Sequence, residues 1–232
     1  MRYRKLGMGL LACSLAWAGG CPKTPQGPLA ALPPHRLNLA SSHRPGRQEP
    51  KPAAKRERPG ARTPPLTAEE RRWYVPPQRQ WRHIVVHHSA TDRGSADIFD
   101  VAHRKRGWDE LGYHFVIDNG NGGPNGFVEV GGRWRKQKHG AHCGGTPDNE
   151  YNDYGIGICV VGNFCDRLPS RAQLSALTRL TAFLMRTYNV PPENVIGHRD
   201  APDASTRCPG EAFHRYLHGS FQWNLRRYNA AK

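Results

Sequence analysis

Two histidines and one cysteine stand where a metal ion can be held. His87 ends the short apolar run Ile84-Val85-Val86, His198 follows a second run, Val195-Ile196-Gly197, and Cys208 comes ten residues later, ahead of Pro209-Gly210. Two imidazoles and one thiolate fill three corners of a tetrahedral zinc site and leave the fourth open. Catalytic zinc sites have that form, whereas structural sites close all four positions with protein ligands. The chain holds twelve histidines, so spacing alone also admits surface or hydrogen-bonded histidines as a reading of the same residues.

These side chains need a scaffold. The run at residues 84–86 predicts a buried strand ending in His87-His88-Ser89. Alternation along that strand allows only one of the two adjacent histidines to face a given side. A helix is expected over residues 98–106, closing at Gly107. A second strand is expected over residues 113–118, with turn residues 119–126 behind it and residues 127–130 as its hairpin partner. Residues 156–162 are continuously apolar and read as a strand buried on both faces. Ser170 then opens a helix, with Gln173 placed to complete a capping box and Leu174, Leu177, Leu180, Leu184 and Tyr188 along one side. Pro191 and Pro192 stop it, and residues 195–197 bring the chain back to the second polar cluster. The expected fold class is α/β: a single domain over residues 66–232 with a central mixed β-sheet flanked by helices, preceded by a disordered N-terminal segment. Within it His103, on an exposed helix end beside Arg104, Lys105 and Arg106, and His114 are expected to be structural. Trp108 is read as a packing anchor, and Trp134, on a polar loop, as either packing or sugar contact.

Charge is distributed unevenly. Residues 1–80 carry 15 Lys and Arg against 4 Asp and Glu, while residues 81–232 carry 19 against 15. The overall net charge of +15 is therefore mostly in the leading segment, which argues against a nucleic-acid partner for the folded part, since a duplex-binding domain carries its own basic face. Residues 1–20 read as a signal peptide, with Arg2, Arg4 and Lys5 ahead of an apolar run from Leu6 to Trp17 that is shorter than the ~20 residues of a membrane span. The small residues Ala18-Gly19-Gly20 before Cys21 mark a lipoprotein processing site, or ordinary cleavage nearby. Residues 21–65, dense in Pro, Ala, Arg and Lys, read as a disordered linker. The expected location is outside the cytoplasm, as a periplasmic, outer-membrane or cell-surface lipoprotein. Export permits disulfides, but the spacing of Cys143, Cys159 and Cys165 does not single out a pair.

Five segments, in order, carry a resemblance: residues 84–91 with the His87-His88 pair; Arg106-Gly107-Trp108 with residues 112–117; Gly140-Ala141-His142; residues 156–158 with Gly162-Asn163-Phe164; and Gly197-His198-Arg199-Asp200 through Cys208-Pro209-Gly210. Over residues 81 to 216 the chain resembles the type-2 amidase and peptidoglycan-recognition-protein superfamily. The resemblance implies zinc held by His87, His198 and Cys208, a catalytic tyrosine at Tyr113, a catalytic threonine at Thr206, and a substrate groove to which His142 contributes. It also implies an enzyme, an N-acetylmuramoyl-L-alanine amidase, acting as a monomer on peptidoglycan. Some relatives place a Glu in the strand that here holds Cys159 to Val161; no carboxylate occurs there. The alternatives are a non-catalytic wall-binding module, which the presence of Cys208 argues against, a zinc endopeptidase and a zinc nuclease.

Anchoring is directly testable. Wild-type protein should incorporate a fatty-acid analogue and fractionate with membrane, and Cys21→Ser should lose both properties. Equal membrane association without labelling would refute lipidation.

Overall fold

In a computed structural model the backbone is described for residues 65–230 and side chains for residues 65–227. The signal peptide, Cys21 and nearly all of the linker lie outside the described residues. Five strands form one sheet in the order β3-β2-β4-β1-β5. They are β1 (His83–His88), β2 (Phe115–Ile117), β3 (Val128–Val130), β4 (Gly155–Val160) and β5 (Val195–Gly197). Only the β2–β3 hairpin is antiparallel; β2–β4, β4–β1 and β1–β5 are parallel. The expected mixed sheet and all five strands are present.

Parallel strands buried on both faces carry apolar residues without alternation, as β4 does, with all six of its residues buried. Side-chain alternation then divides the work of the sheet. Val116 of β2 and Cys159 of β4 are register partners, and they pack with Leu111, Val161, Phe99 and Tyr113. Phe99 belongs to helix α2 (Ala96–Arg104), whose N-cap Ser95 accepts a hydrogen bond from the Ile98 amide. That cap sets the helix start two residues earlier than the expected boundary. Phe115 packs instead on Trp134 of the short helix α3 (Gly132–Arg135), at 4.8 Å between rings. Trp134 also meets Tyr188 at the end of α5 (Arg171–Tyr188).

Trp134 is fully buried and its indole N–H donates to the Trp73 carbonyl. It is a core residue, not a loop residue, and truncation of such a side chain costs about 3–5 kcal/mol. His103 is structural as expected, but not exposed. It is buried, its Nδ1 accepts from the Gly112 amide at 3.0 Å, and its ring lies 4.5 Å from that of Trp108. Basic neighbours in sequence gave it an exposed look that the turn after α2 removes. Helix α5 opens as expected on the Ser170–Gln173 capping box, and Gln173 adds a bond from its amide to the Val161 carbonyl that ties the helix start to the end of β4. A second box, Thr67 with Glu70, opens α1 (Ala68–Trp73) and brings fully buried Trp73 against Phe183 at 5.7 Å.

Behind β2, Asp118 is fully buried, with its carboxyl against that of Glu129. Burial and the adjacent Glu129 carboxyl push its pKa up to about 8. Between about pH 4 and 8 the folded chain therefore keeps a proton that the unfolded chain releases, so this residue lowers stability progressively as pH rises through that window. Asp118→Asn should match wild type near pH 4 and become the more stable protein as pH approaches 8. Urea midpoints measured across that range check the trend, and a difference independent of pH would refute it.

Candidate metal centre

The centre lies at the C-terminal end of β1, the strand held between β4 and β5. The alternation expected from the sequence sends the two adjacent histidines apart. His88 takes the Phe164 side, where its Nδ1 accepts from the Phe164 amide. His87 takes the other side, with the His198 ring at 4.5 Å and the Tyr113 ring at 5.3 Å. Cys208 Sγ lies 3.7 Å from His87 Nδ1. One ligand-capable atom from each of His87, His198 and Cys208 falls within 4.8 Å of the others, so a strand end and a loop far along the sequence converge on one point.

Local bonds fix the two loop donors. The Arg199 amide donates to the Cys208 carbonyl at 2.9 Å, closing the loop between His198 and Cys208. Thr206 Oγ1 accepts from the Cys208 amide at 3.1 Å, and the His88 amide donates to Cys208 Sγ at 3.3 Å. The Cys208–Pro209 peptide is cis. Gly210 follows at φ 97°, where a Cβ would meet the Phe164 backbone at 2.5 Å. Only glycine suits both that dihedral and that approach.

His87 is oriented by a line of buried bonds. His142 Nε2 lies 3.2 Å from the Gly155 carbonyl, and its Nδ1 lies 3.1 Å from His87 Nε2. A carbonyl only accepts, so His142 Nε2 carries the hydrogen. Burial, with neighbouring charges, holds both rings well below the usual imidazole pKa. Each ring is neutral at pH 7, with a single N–H. His142 Nδ1 then accepts, His87 Nε2 donates, and His87 Nδ1 presents its lone pair toward Cys208. Metal-ligating histidines are characteristically oriented in this way through their second nitrogen. Both nitrogens of His142 are thus engaged within the protein, which leaves its ring face and carbon edge for any ligand.

Glycines make room for that ring. A Cβ at Gly157 would stand 2.3 Å from His142, and one at Gly140 would stand 2.4 Å away. The adjacent loops are clamped by Arg133, whose Nε donates to the Leu111 carbonyl and whose Nη1 donates to the His139 carbonyl, with Asp109 as its ion-pair partner. His114, one residue past Tyr113, is structural as expected: its Nδ1 accepts from the Gly157 amide and its Nε2 donates to the Lys138 carbonyl.

The remaining groups set the polarity of the centre. Burial pushes the Cys208 thiol up to about 12 and lowers His198 to about 4. A thiolate is stable here only with a cation beside it, and a borderline-soft divalent ion suits two imidazoles and a thiolate. Tyr113 meets the thiol of Cys159, the register partner of His87, and burial raises both groups well above their ordinary values. Cys143 and Cys159 are free thiols and do not pair with each other. Neither the Tyr113–Cys159 contact nor the His142–His87 bond was foreseen from the sequence, although Cys159 standing at the level of His87 in neighbouring runs was a usable signal.

A family model described as N-acetylmuramoyl-L-alanine amidase matches residues 77–211. The chain is 32% identical over 152 residues to peptidoglycan recognition protein 1 of Bos indicus, covering 61% of this chain and 72% of that protein. It is 31% identical over 122 residues to N-acetylmuramoyl-L-alanine amidase of Sus scrofa, covering 52% of this chain but only 18% of that protein. Among solved structures, N-acetylmuramoyl-L-alanine amidase LysC from Clostridium intestinale URNW is 28% identical, with 61% of this chain and 85% of that chain covered at a TM-score of 0.50.

If His142 sets the tautomer of His87, losing it should weaken metal binding without unfolding the sheet. Outer partners of this kind are worth roughly 10–100-fold in affinity, and His142→Ala should show a loss of that order in chelator competition with Zn2+. Gly157→Ala, which drives a methyl into the same ring, should act in the same direction. Unchanged affinity in both variants would refute the arrangement.

Proposed function

The chain belongs to the N-acetylmuramoyl-L-alanine amidase family, and from that premise we propose that it hydrolyses the amide between N-acetylmuramic acid and the L-alanine of a peptidoglycan stem peptide. His87, His198 and Cys208 hold a zinc ion for this purpose. The observation that supports the reading is the convergence of these three donors at the end of β1, with the ligating face of His87 already selected by His142. A module that only recognises cell wall has no need of a thiol set beside two imidazoles. Bound zinc would supply an electrophile for the scissile carbonyl and lower the pKa of the attacking water.

The chain's own residues complete the chemistry. Tyr113 stays protonated at neutral pH, because burial and the nearby thiols disfavour its phenolate. It therefore donates a hydrogen bond to charge developing on the substrate carbonyl and does not serve as a base. Thr206 already accepts from the Cys208 amide, which leaves its hydroxyl hydrogen as a second donor. Preorganised donors of this kind stabilise a tetrahedral intermediate without reorganising during the reaction. The rings of His87, His103 and His142 pack around that of Tyr113. Attachment through Cys21 would put the domain beside the wall.

Each role has its own readout. Cys208→Ser and His198→Ala should lose most bound zinc, and His88→Ala should retain it. Tyr113→Phe should keep zinc and wall binding while turnover falls on the order of a hundredfold, the usual cost of one such hydrogen bond. Thr206→Ala should be milder. Mass spectrometry of digested peptidoglycan should find free stem peptides and intact glycan. Fragments cut within the peptide would identify an endopeptidase, and near-normal turnover in Tyr113→Phe would remove the phenol from the mechanism.

A further inference from the structure

A second group of metal-capable side chains lies in and after the turn that carries His198. Asp200, His214 and His218 each offer one ligand atom within 4.8 Å of the others. His214 Nε2 is 2.6 Å from Asp200 Oδ1, and His218 Nε2 is 2.9 Å from Asp200 Oδ2. The two rings are 4.4 Å apart between centroids. Histidines four apart share one side of a helix and are a common metal-binding pair.

Backbone geometry reinforces the convergence. Helix α6 (Glu211–Tyr216) runs on into residues Leu217–Phe221, which kink at Gly219 (φ −96°, ψ −106°) just after His218. Asp200 is also held from behind, since the Gly197 amide donates to Oδ2 at 2.8 Å. Its side chain is 20% exposed, that of His214 is 22% and that of His218 is 55%, so an ion reaches the group from the His218 side. An exposed ion pair adds little to stability, and hydrogen bonding to Asp200 alone gives no strong reason to fix a second, mostly exposed ring on a carboxylate that His214 already satisfies.

We propose that Asp200, His214 and His218 bind a divalent transition-metal ion, independently of the cluster at His87, and that this ion pins the C-terminal end of α6 to the turn carrying His198. Two imidazole nitrogens and one carboxylate oxygen suit zinc and leave room for water. The proton balance is simple. Each Nε2 gives up the hydrogen it donates to Asp200, the proton moving through solvent to Nδ1 in a neutral ring or to solvent from a charged one. Asp200 exchanges two N–H donors for one cation and keeps the Gly197 bond.

The test is titration of the metal-free full chain with Zn2+ by calorimetry, repeated with Co2+ and read by absorption. Only the cluster containing Cys208 should give a sulfur-to-cobalt charge-transfer band. Wild type should bind about two ions, and Cys208→Ser should bind about one without the band. His214→Asn with His218→Asn should bind about one with the band. His218→Gln alone, at an exposed position, should weaken the second event on the order of tenfold or more with no change in melting of the metal-free chain. A single wild-type ion that Cys208→Ser abolishes would overturn the proposal, as would two ions surviving the double substitution. Failure of the amidase reading would instead appear as absence of the thiolate band in wild type.

Discussion

The centre depends on one line of hydrogen bonds, running from the Gly155 carbonyl through His142 to His87. It crosses the face of a sheet from which water is excluded, so every atom along it must find its partner within the protein. That requirement explains features that otherwise look unrelated. Gly140 and Gly157 lack side chains because the ring occupies their space. Asn152 accepts from the His142 and Cys143 amides through one oxygen, holding the loop at the depth the ring needs. Arg133 fastens the loops to either side through two carbonyls and an ion pair. A backbone carbonyl has no alternative protonation state, so it fixes the tautomers of two rings in succession.

Burial has a second consequence. His88, His103 and His198 are all pushed to about 4, and His114 to about 3. In the unfolded chain the same rings take up protons near pH 6.5. Below that value the unfolded state gains protons that the folded one refuses, and stability falls as pH drops toward 4. A bound cation at His87, His198 and Cys208 would add to this dependence, because it requires neutral imidazoles and a thiolate. The neutrality that prepares the ligands for metal is also what makes the fold sensitive to acid.

Three of the strands were legible because parallel strands are buried on both faces and leave continuous apolar runs, and the β2–β3 hairpin because turn residues separate its two arms. The runs at residues 84–86, 156–162 and 195–197 became β1, β4 and β5 with small changes at their ends. The long helix was legible from Ser170 and Gln173, whose capping box is local chemistry. What escaped notice was set by distant partners. Trp134 sits among polar neighbours in sequence, yet its indole is satisfied by a carbonyl 61 residues away. His142 meets His87 across 55 residues, and no periodicity reports such a bond. His214 and His218 had a local signal in their spacing of four, but among twelve histidines that spacing gains meaning only when Asp200 is seen between them.

The strand opposite His87 decides what kind of catalyst the proposed enzyme is. Cys159, the register partner of His87, is a fully buried thiol with a pKa raised well above the usual value. Its neighbour Tyr113 is a phenol displaced in the same direction. Both groups hold their protons at neutral pH, and burial keeps the nearby rings of His87, His103, His142 and His198 neutral as well. Among the described residues around His87, then, the fold supplies hydrogen-bond donors. Such a lining favours negative charge on a substrate oxygen over proton removal by a side chain. On the proposed reading the rate enhancement comes chiefly from electrostatic stabilisation of the tetrahedral state, with the Cys159 thiol, itself protonated, packed against the Tyr113 hydroxyl.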